Sequence, residues 1–271
     1  MTEPVERTCY RHPDRVTGLS CSECGRPICT ECMTMAPVGI RCPEHAGGQR
    51  VMDRGAIQTV VAPITRLLIA IDVAVYVAEL ATGSGVNGDR GWIFEHGVLF
   101  GPLVEAGDWW RLITAAFMHY GPFHLLLNMY ALYFAGTLLE RAIGSWRFLL
   151  LYLASGLAGS AGALVWSPTA LTLGASGALF GILGALFVLE RRGHLATEGQ
   201  IAGLIIINLV FTIAFARLIS VGGHVGGLIG GVLAMFILTQ VRGRPALSAA
   251  GIVAVGVASI AIAYWKVRGY A

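Results

Sequence analysis

The sequence predicts an all-α polytopic membrane protein preceded by a small cysteine-rich domain. Three observations carry this. The 271 residues are 55% hydrophobic and 13% charged, where an ordinary soluble domain has about a quarter charged residues. Mean hydropathy is +0.68. Polar residues are also segregated. Residues 1–54 contain all six cysteines and a dense run of charges, whereas residues 110–271 contain three acids, Glu140, Glu190 and Glu198. Such a composition excludes a disordered chain, a coiled coil and most single soluble folds.

The N-terminal part, predicted over residues 1–48, carries four pairs of ligand-type residues: Cys9/His12, Cys21/Cys24, Cys29/Cys32 and Cys42/His45. Zinc takes four Cys or His ligands in a tetrahedron, and a pair with two intervening residues supplies two of them from one tight turn. Eight ligands therefore predict two structural zinc ions. The short intervals between pairs favour an interleaved cross-brace, the first and third pairs on one ion and the second and fourth on the other. Sequential pairing is the alternative. The N-terminus is polar and lacks an early apolar run, so no signal peptide is expected. A cytosolic head follows, where cysteines bind metal more readily than they form disulfides. So small a head has too little core to fold without metal. A Gly- and Arg-bearing linker is predicted at 49–63.

Seven apolar segments follow, near 64–81, 121–139, 146–166, 176–190, 200–219, 222–240 and 246–265. Each approaches the ~20 residues that cross a bilayer as a helix. None alternates with period two, which argues against a barrel. The stretch 82–120 mixes Trp92, Trp109 and Trp110 with scattered charges and reads as a large interfacial loop. With the head inside, Arg50, Arg54, Arg66, Arg141, Arg147, Arg191, Arg192, Arg242 and Arg244 fall on cytosolic connections, an excess that fits the positive-inside rule. Seven crossings then place the C-terminus outside. Arginine outnumbers lysine 18 to 1, a bias that fits a GC-rich bacterial genome.

Within the membrane body, small residues four apart, such as Gly177/Gly181 and Gly223/Gly227/Gly231, predict closely packed helices. Polar residues there are costly and so mark function. His124 and Asn128 lie one turn apart on the second segment, Ser176 opens the fourth in Gly174-Ala175-Ser176-Gly177, and His224 opens the sixth. All three segments run from outside to inside, so these side chains share one depth near the outer surface. The chemistry they allow is nucleophilic acyl transfer: Ser176 attacks a carbonyl and His224 takes its proton. A helix N-terminus at Ser176 favours the developing oxyanion, with His124 and Asn128 as further donors. The three acids fall at the opposite ends of their helices, which leaves a Ser–His dyad unless Glu79 or an acid from 82–120 reaches in. Phe180, one turn after Ser176, is placed to stack on His224.

The run Trp110-Arg111, then His119-Tyr-Gly-Pro-Phe-His124-Leu-Leu-Leu-Asn128, then Gly174-Ala-Ser176-Gly177, then Gly223-His224-Val-Gly-Gly227-Leu-Ile-Gly-Gly231 resembles the rhomboid intramembrane serine proteases. The resemblance spans roughly 64–241 and implies a six-helix core over those residues. It implies Ser176 as nucleophile, His224 as base, and His124, Asn128 and the Ser176 amide as the oxyanion hole. His119, Gly174 and Gly177 are supporting, and the Trp110-Arg111 pair is structural. The sequence departs from the family where many members carry Tyr: Phe180 keeps the ring and loses the hydroxyl. A seventh segment, within 242–271, is an addition after the core. The head resembles a B-box-type zinc finger.

The resemblance implies substrates that are membrane proteins with a transmembrane segment, met within the lipid bilayer. The zinc domain leaves room for a cytosolic protein partner. Without a basic stripe interleaved with aromatics, no nucleic acid is expected. A catalytically inactive relative that binds transmembrane clients is the alternative function. A transporter would require repeated halves and more mid-bilayer ionisable groups than Asp72.

Overall fold

The computed structural model describes residues 7–35, 40–45, 62–195, 197, 199–241 and 243–270. The chain divides into two compact units, residues 1–60 and 61–271. Arg50, Arg54, Glu198, Arg242 and most of the predicted linker lie outside the described residues; Pro63, its last residue, opens the first helix.

Among the described residues, the N-terminal unit has one small antiparallel strand pair, β1 (Thr34–Met35) and β2 (Ile40–Arg41), with Thr34 opposite Arg41. Isolated bridges join Thr8 to Val16 and Ser20 to Pro27. Its core is Ile28 surrounded by Cys9, Cys21, Cys29, Cys32 and Cys42. Thiols thus occupy most of the interior positions that an ordinary domain fills with aliphatic side chains.

The second unit is helical: α1 (Pro63–Ala81), α2 (Trp92–Gly97), α3 (Gly101–Glu105), α4 (Arg111–Thr114), α5 (Gly121–Ala131), α6 (Thr137–Ile143), α7 (Ser145–Trp166), α8 (Ser176–Arg191), α9 (Gln200–Ala214), α10 (Val221–Gln240) and α11 (Pro245–Val267). A π-helical turn, Leu132–Gly136, makes α5 and α6 one continuous rod. Helices appear at all seven apolar segments. Four rods among the described residues are long and apolar enough to cross a membrane: Gly121–Ile143, Ser145–Trp166, Val221–Gln240 and Pro245–Val267. The other three fall short for visible reasons. Helix α1 carries Arg66, Asp72 and Glu79; α8 has 16 residues; α9 has 15 and ends at Ala214, short of the expected 219.

Helix α8 lies at the centre. Its sequence is apolar all round, and such a helix must be enclosed; every residue from Ala178 to Leu189 except Phe187 is buried. Helices α7, α8 and α10 approach through glycine. A methyl group added at Gly227 would lie 1.9 Å from the Gly177 carbonyl oxygen, and one at Gly231 1.9 Å from that of Gly181. One at Gly162 on α7 would lie 2.2 Å from the Gly222 oxygen. Backbones this close leave no room for a side chain.

The 82–120 stretch is more ordered than an interfacial loop. It contains α2, α3, α4 and a 3-10 turn at Ala115–Phe117. These pieces dock on the connection between α7 and α8. Leu99 and Thr172 exchange backbone hydrogen bonds of 3.0 Å each way, and the Gly101 amide donates to Pro168 over 2.8 Å. Buried Arg111 pairs with Asp108 at 2.8 Å and donates to the Val98 carbonyl at 2.9 Å, while Trp110 donates to His96.

Glu140 and Glu190, the described acids within residues 110–271, have structural partners. Glu140 accepts from the amides of Ile64 and Thr65 and from the Thr65 and Ser145 hydroxyls, at 2.6–3.0 Å. It thereby satisfies N–H groups that the start of α1 leaves without helical partners. Glu190 accepts from the Thr197 hydroxyl and from the Gly199 and Ile201 amides, tying the end of α8 to the start of α9.

Candidate active site

Local sequence sets each side chain of the site. Ser220 caps α10, its Oγ accepting from the Gly223 amide at 3.1 Å, a standard device for fixing a helix start. That places His224 in the first turn. Helix α8 begins at Ser176 without a side-chain cap, so its first amides keep donors free for a ligand. Gly174 before it has φ +122°, a conformation that side chains rarely adopt, and its amide is held by the Ala115 carbonyl at 2.8 Å. An added methyl there would meet the His124 ring at 2.7 Å. Glycine at 174 is thus required twice, by backbone angle and by the close histidine.

The two helix starts bring Ser176 Oγ and His224 Nε2 to 2.8 Å. Phe180, one turn along α8, stacks on the His224 ring with centroids 4.1 Å apart and planes 21° apart. Ser176 is half-buried, whereas His224 is 8% exposed. The approach of α8 to α10 rests on Gly177, whose carbonyl lies against Gly227.

His124 faces the same point from α5. The Tyr120 amide donates to its Nδ1 over 3.2 Å. Nδ1 is therefore the acceptor, and in the neutral ring the proton sits on Nε2, on the side that faces Gly174 and Ser176. Asn128 is buried and donates one amide hydrogen to the His124 carbonyl at 3.0 Å. Its second hydrogen remains for another acceptor. His119 lies behind, its ring 5.2 Å from that of His124, fully buried with no hydrogen-bond partner on either nitrogen among the described residues. Burial, followed by the nearby His124, pushes His119 down to about 3.

No carboxylate accompanies the His224 ring in these contacts. Glu79 is buried beside Gly88 and the His119 backbone instead. The partner at Nδ1 is Thr212 of α9, whose hydroxyl lies 2.7 Å away and also donates to the Asn208 carbonyl at 2.7 Å. Sequence reasoning missed Thr212. The available signal was a pair of polar residues, Asn208 and Thr212, four apart in an otherwise apolar run.

In the N-terminal unit the eight candidate ligands form two groups, Cys9, His12, Cys29 and Cys32 in one, Cys21, Cys24, Cys42 and His45 in the other. Within each group the ligand atoms all lie within 4.8 Å of one another. First pairs with third and second with fourth, the interleaved arrangement. The donor set of thiols and imidazoles suits a metal such as zinc; against the effect of burial, backbone amides bring the Cys9 thiol down to about 6 and that of Cys21 to about 5, whereas burial and neighbouring acidic groups push Cys32 and Cys42 up to about 11. Two groups that could each hold a metal ion are therefore present.

The rhomboid domain family matches residues 106–241. The rhomboid protease GluP of Bacillus subtilis is 40% identical over 190 residues, which are 69% of this chain and 37% of its own length. YdcA of the same organism is 38% identical over 146 residues, 52% of this chain and 73% of its own. RHOMBOID-like protein 1 of Arabidopsis thaliana is 36% identical over 138 residues, half of this chain and 35% of its own length. The match to GluP thus spans little more than a third of that relative. The matched region contains α4 to α10, and with them every side chain of the Ser176 site; the chain belongs to the rhomboid family, a family of intramembrane proteases.

Proposed function

We infer that the protein is an active serine endopeptidase that hydrolyses peptide bonds in or next to transmembrane segments of membrane proteins. One observation carries the reading, the 2.8 Å hydrogen bond between Ser176 Oγ and His224 Nε2. In the first step Oγ attacks the substrate carbonyl carbon while its proton passes to Nε2. The carbonyl oxygen becomes an oxyanion, met by His124 Nε2–H, the Ser176 amide and the free amide hydrogen of Asn128. Collapse breaks the C–N bond, and the proton on Nε2 goes to the leaving amine. An ester on Ser176 remains. Water then attacks that ester by the same steps, giving its proton to His224 and freeing the acid. Phe180 holds the ring in plane throughout.

The head, in this reading, is a B-box-like domain folded around two structural zinc ions, and it plays no part in the chemistry. It is cytosolic, as the arginine distribution and its thiols favour, and the C-terminus is extracytoplasmic. A cytosolic protein is the natural partner for its surface.

The test is labelling with a fluorophosphonate probe in detergent, alongside cleavage of a reporter transmembrane protein in proteoliposomes. Wild type should label and cleave, and Ser176→Ala should do neither while keeping its thermal stability within about 1 kcal/mol, since alanine fits where a small side chain already packs. Absence of both activities in wild type would favour the inactive, client-binding alternative. Full cleavage by folded Ser176→Ala would overturn the mechanism.

A further inference from the structure

The geometry points to Thr212 as a positioning residue that fixes the tautomer of His224, in place of the acid of a triad. The inference rests on the dyad reading above and adds a third member to it.

Hydrogen bookkeeping gives the argument. Thr212 Oγ1 has two neighbours, His224 Nδ1 at 2.7 Å and the Asn208 carbonyl oxygen at 2.7 Å. A carbonyl can only accept, and a hydroxyl has one proton. Neutral imidazole carries one hydrogen, on Nδ1 or on Nε2. With the hydrogen on Nδ1, both bonds form: Nδ1–H donates to Thr212 Oγ1, and Oγ1–H donates to Asn208. With it on Nε2, a single hydroxyl proton faces two acceptors and one bond is lost. Thr212 is 1% exposed and His224 8%, and a missing bond is costly at buried sites. The arrangement therefore favours Nδ1–H. The lone pair is then on Nε2, 2.8 Å from Ser176 Oγ, where a base must accept. The opposite tautomer would present Nε2–H to the serine and could not deprotonate it.

The chain Ser176–His224–Thr212–Asn208 carbonyl also suits its surroundings. A carboxylate in this apolar interior would bear a desolvation penalty that a neutral hydroxyl avoids. When Nε2 takes the serine proton, Nδ1–H remains bonded to Oγ1, so the ring keeps its orientation as it becomes charged. Rotation of α9 is set for this contact: Ile201, Ile205 and Thr212 are its buried residues, and Asn208, four residues before Thr212, supplies the carbonyl that occupies the hydroxyl proton.

Two substitutions separate the hydroxyl from packing. Thr212→Val keeps the branched shape and removes the oxygen; Thr212→Ser keeps the oxygen and removes a methyl. A lost net hydrogen bond corresponds to a roughly 2- to 10-fold effect. Thr212→Val should therefore lower fluorophosphonate labelling and kcat on a reporter transmembrane substrate by about that factor, with KM unchanged, while Thr212→Ser stays close to wild type. Wild-type protein labelled with 15N-histidine should show His224, assigned by loss of its signal in His224→Gln, as the Nδ1–H tautomer. Thr212→Val should shift that signal toward the other form. The proposal is overturned by wild-type labelling in Thr212→Val, by equal losses in Val and Ser, or by an Nε2–H tautomer in wild type, a measurement that needs no variant to fold. Persistent labelling in Ser176→Ala would instead sink the dyad itself, so the two failures are distinguishable.

Discussion

Gly227→Ala adds one methyl group and should disable the site while sparing the fold. The new carbon would lie 1.9 Å from the Gly177 carbonyl oxygen and 2.6 Å from its carbonyl carbon, about 1.5 Å inside ordinary contact distance. Both partners are helix backbone, so no side chain can swing aside. Gly159 of α7 also backs onto Gly177 (an added methyl there would be 3.2 Å from its Cα), which hinders retreat of α8. Helices α8 and α10 must separate at their N-terminal ends, where Ser176 and His224 share the 2.8 Å bond. Overpacking costs about 1–3 kcal/mol, and replacing helical glycine with alanine returns about 1 kcal/mol. Stability should thus fall by no more than about 2 kcal/mol. A misplacement of about 1 Å can cost 10²-fold in rate, so activity should fall far more. The measurements are the fluorophosphonate labelling rate and the thermal midpoint, with Gly203→Ala as control. Gly203 lies on α9 with nothing within 4 Å of an added methyl, so that change should leave labelling unaltered and raise the midpoint slightly. Labelling of folded Gly227→Ala within threefold of wild type would refute the link between glycine packing and dyad geometry.

Two further outcomes are expected. Native mass spectrometry should find two zinc ions per chain, and Cys9→Ser/Cys29→Ser, which strikes one interleaved group, should leave one; loss of both would mean sequential pairing. His119 provides the pH test: its pKa in the fold, about 3, lies below the ordinary ~6.5. The unfolded chain therefore takes up the proton first, stability is complete above about pH 6.5, and roughly 1.4 kcal/mol is lost by pH 5.5. Thermal unfolding in detergent should show that loss, and His119→Gln should show a flatter profile; identical profiles would refute the assignment.

The membrane helices were legible because a buried apolar segment needs length and apolarity, both of which can be read along the chain. The candidate site was legible in outline because histidines and a serine among glycines are conspicuous in apolar surroundings. Thr212 was not, since threonine is unremarkable in such a run and its role depends on how α9 is rotated, a property of packing. Helices α2 to α4 were missed for a different reason. Four to six residues are too few to show a period, and their backbone is held by partners far away in sequence, such as Pro168 and Thr172. Glu140 showed as an acid near a helix end but gave no sign that it caps a helix 75 residues earlier.

The hydrolysis proposed for Ser176 has a second reactant. Water must reach the ester on Ser176, yet hydrocarbon excludes it. The 16 residues of α8 extend about 24 Å at 1.5 Å each, against a hydrocarbon thickness of about 30 Å. A lipid-facing helix this short would force the bilayer to thin around it. Enclosed by its neighbours, α8 imposes no such demand, and the shortfall can be taken up at its serine end. Ser176 can thus lie below the level of the surrounding headgroups while its approach is walled by protein, which can offer water hydrogen-bonding partners that acyl chains lack. On the proposed function, the brevity of one central helix would reconcile a reaction that consumes water with a site inside the membrane.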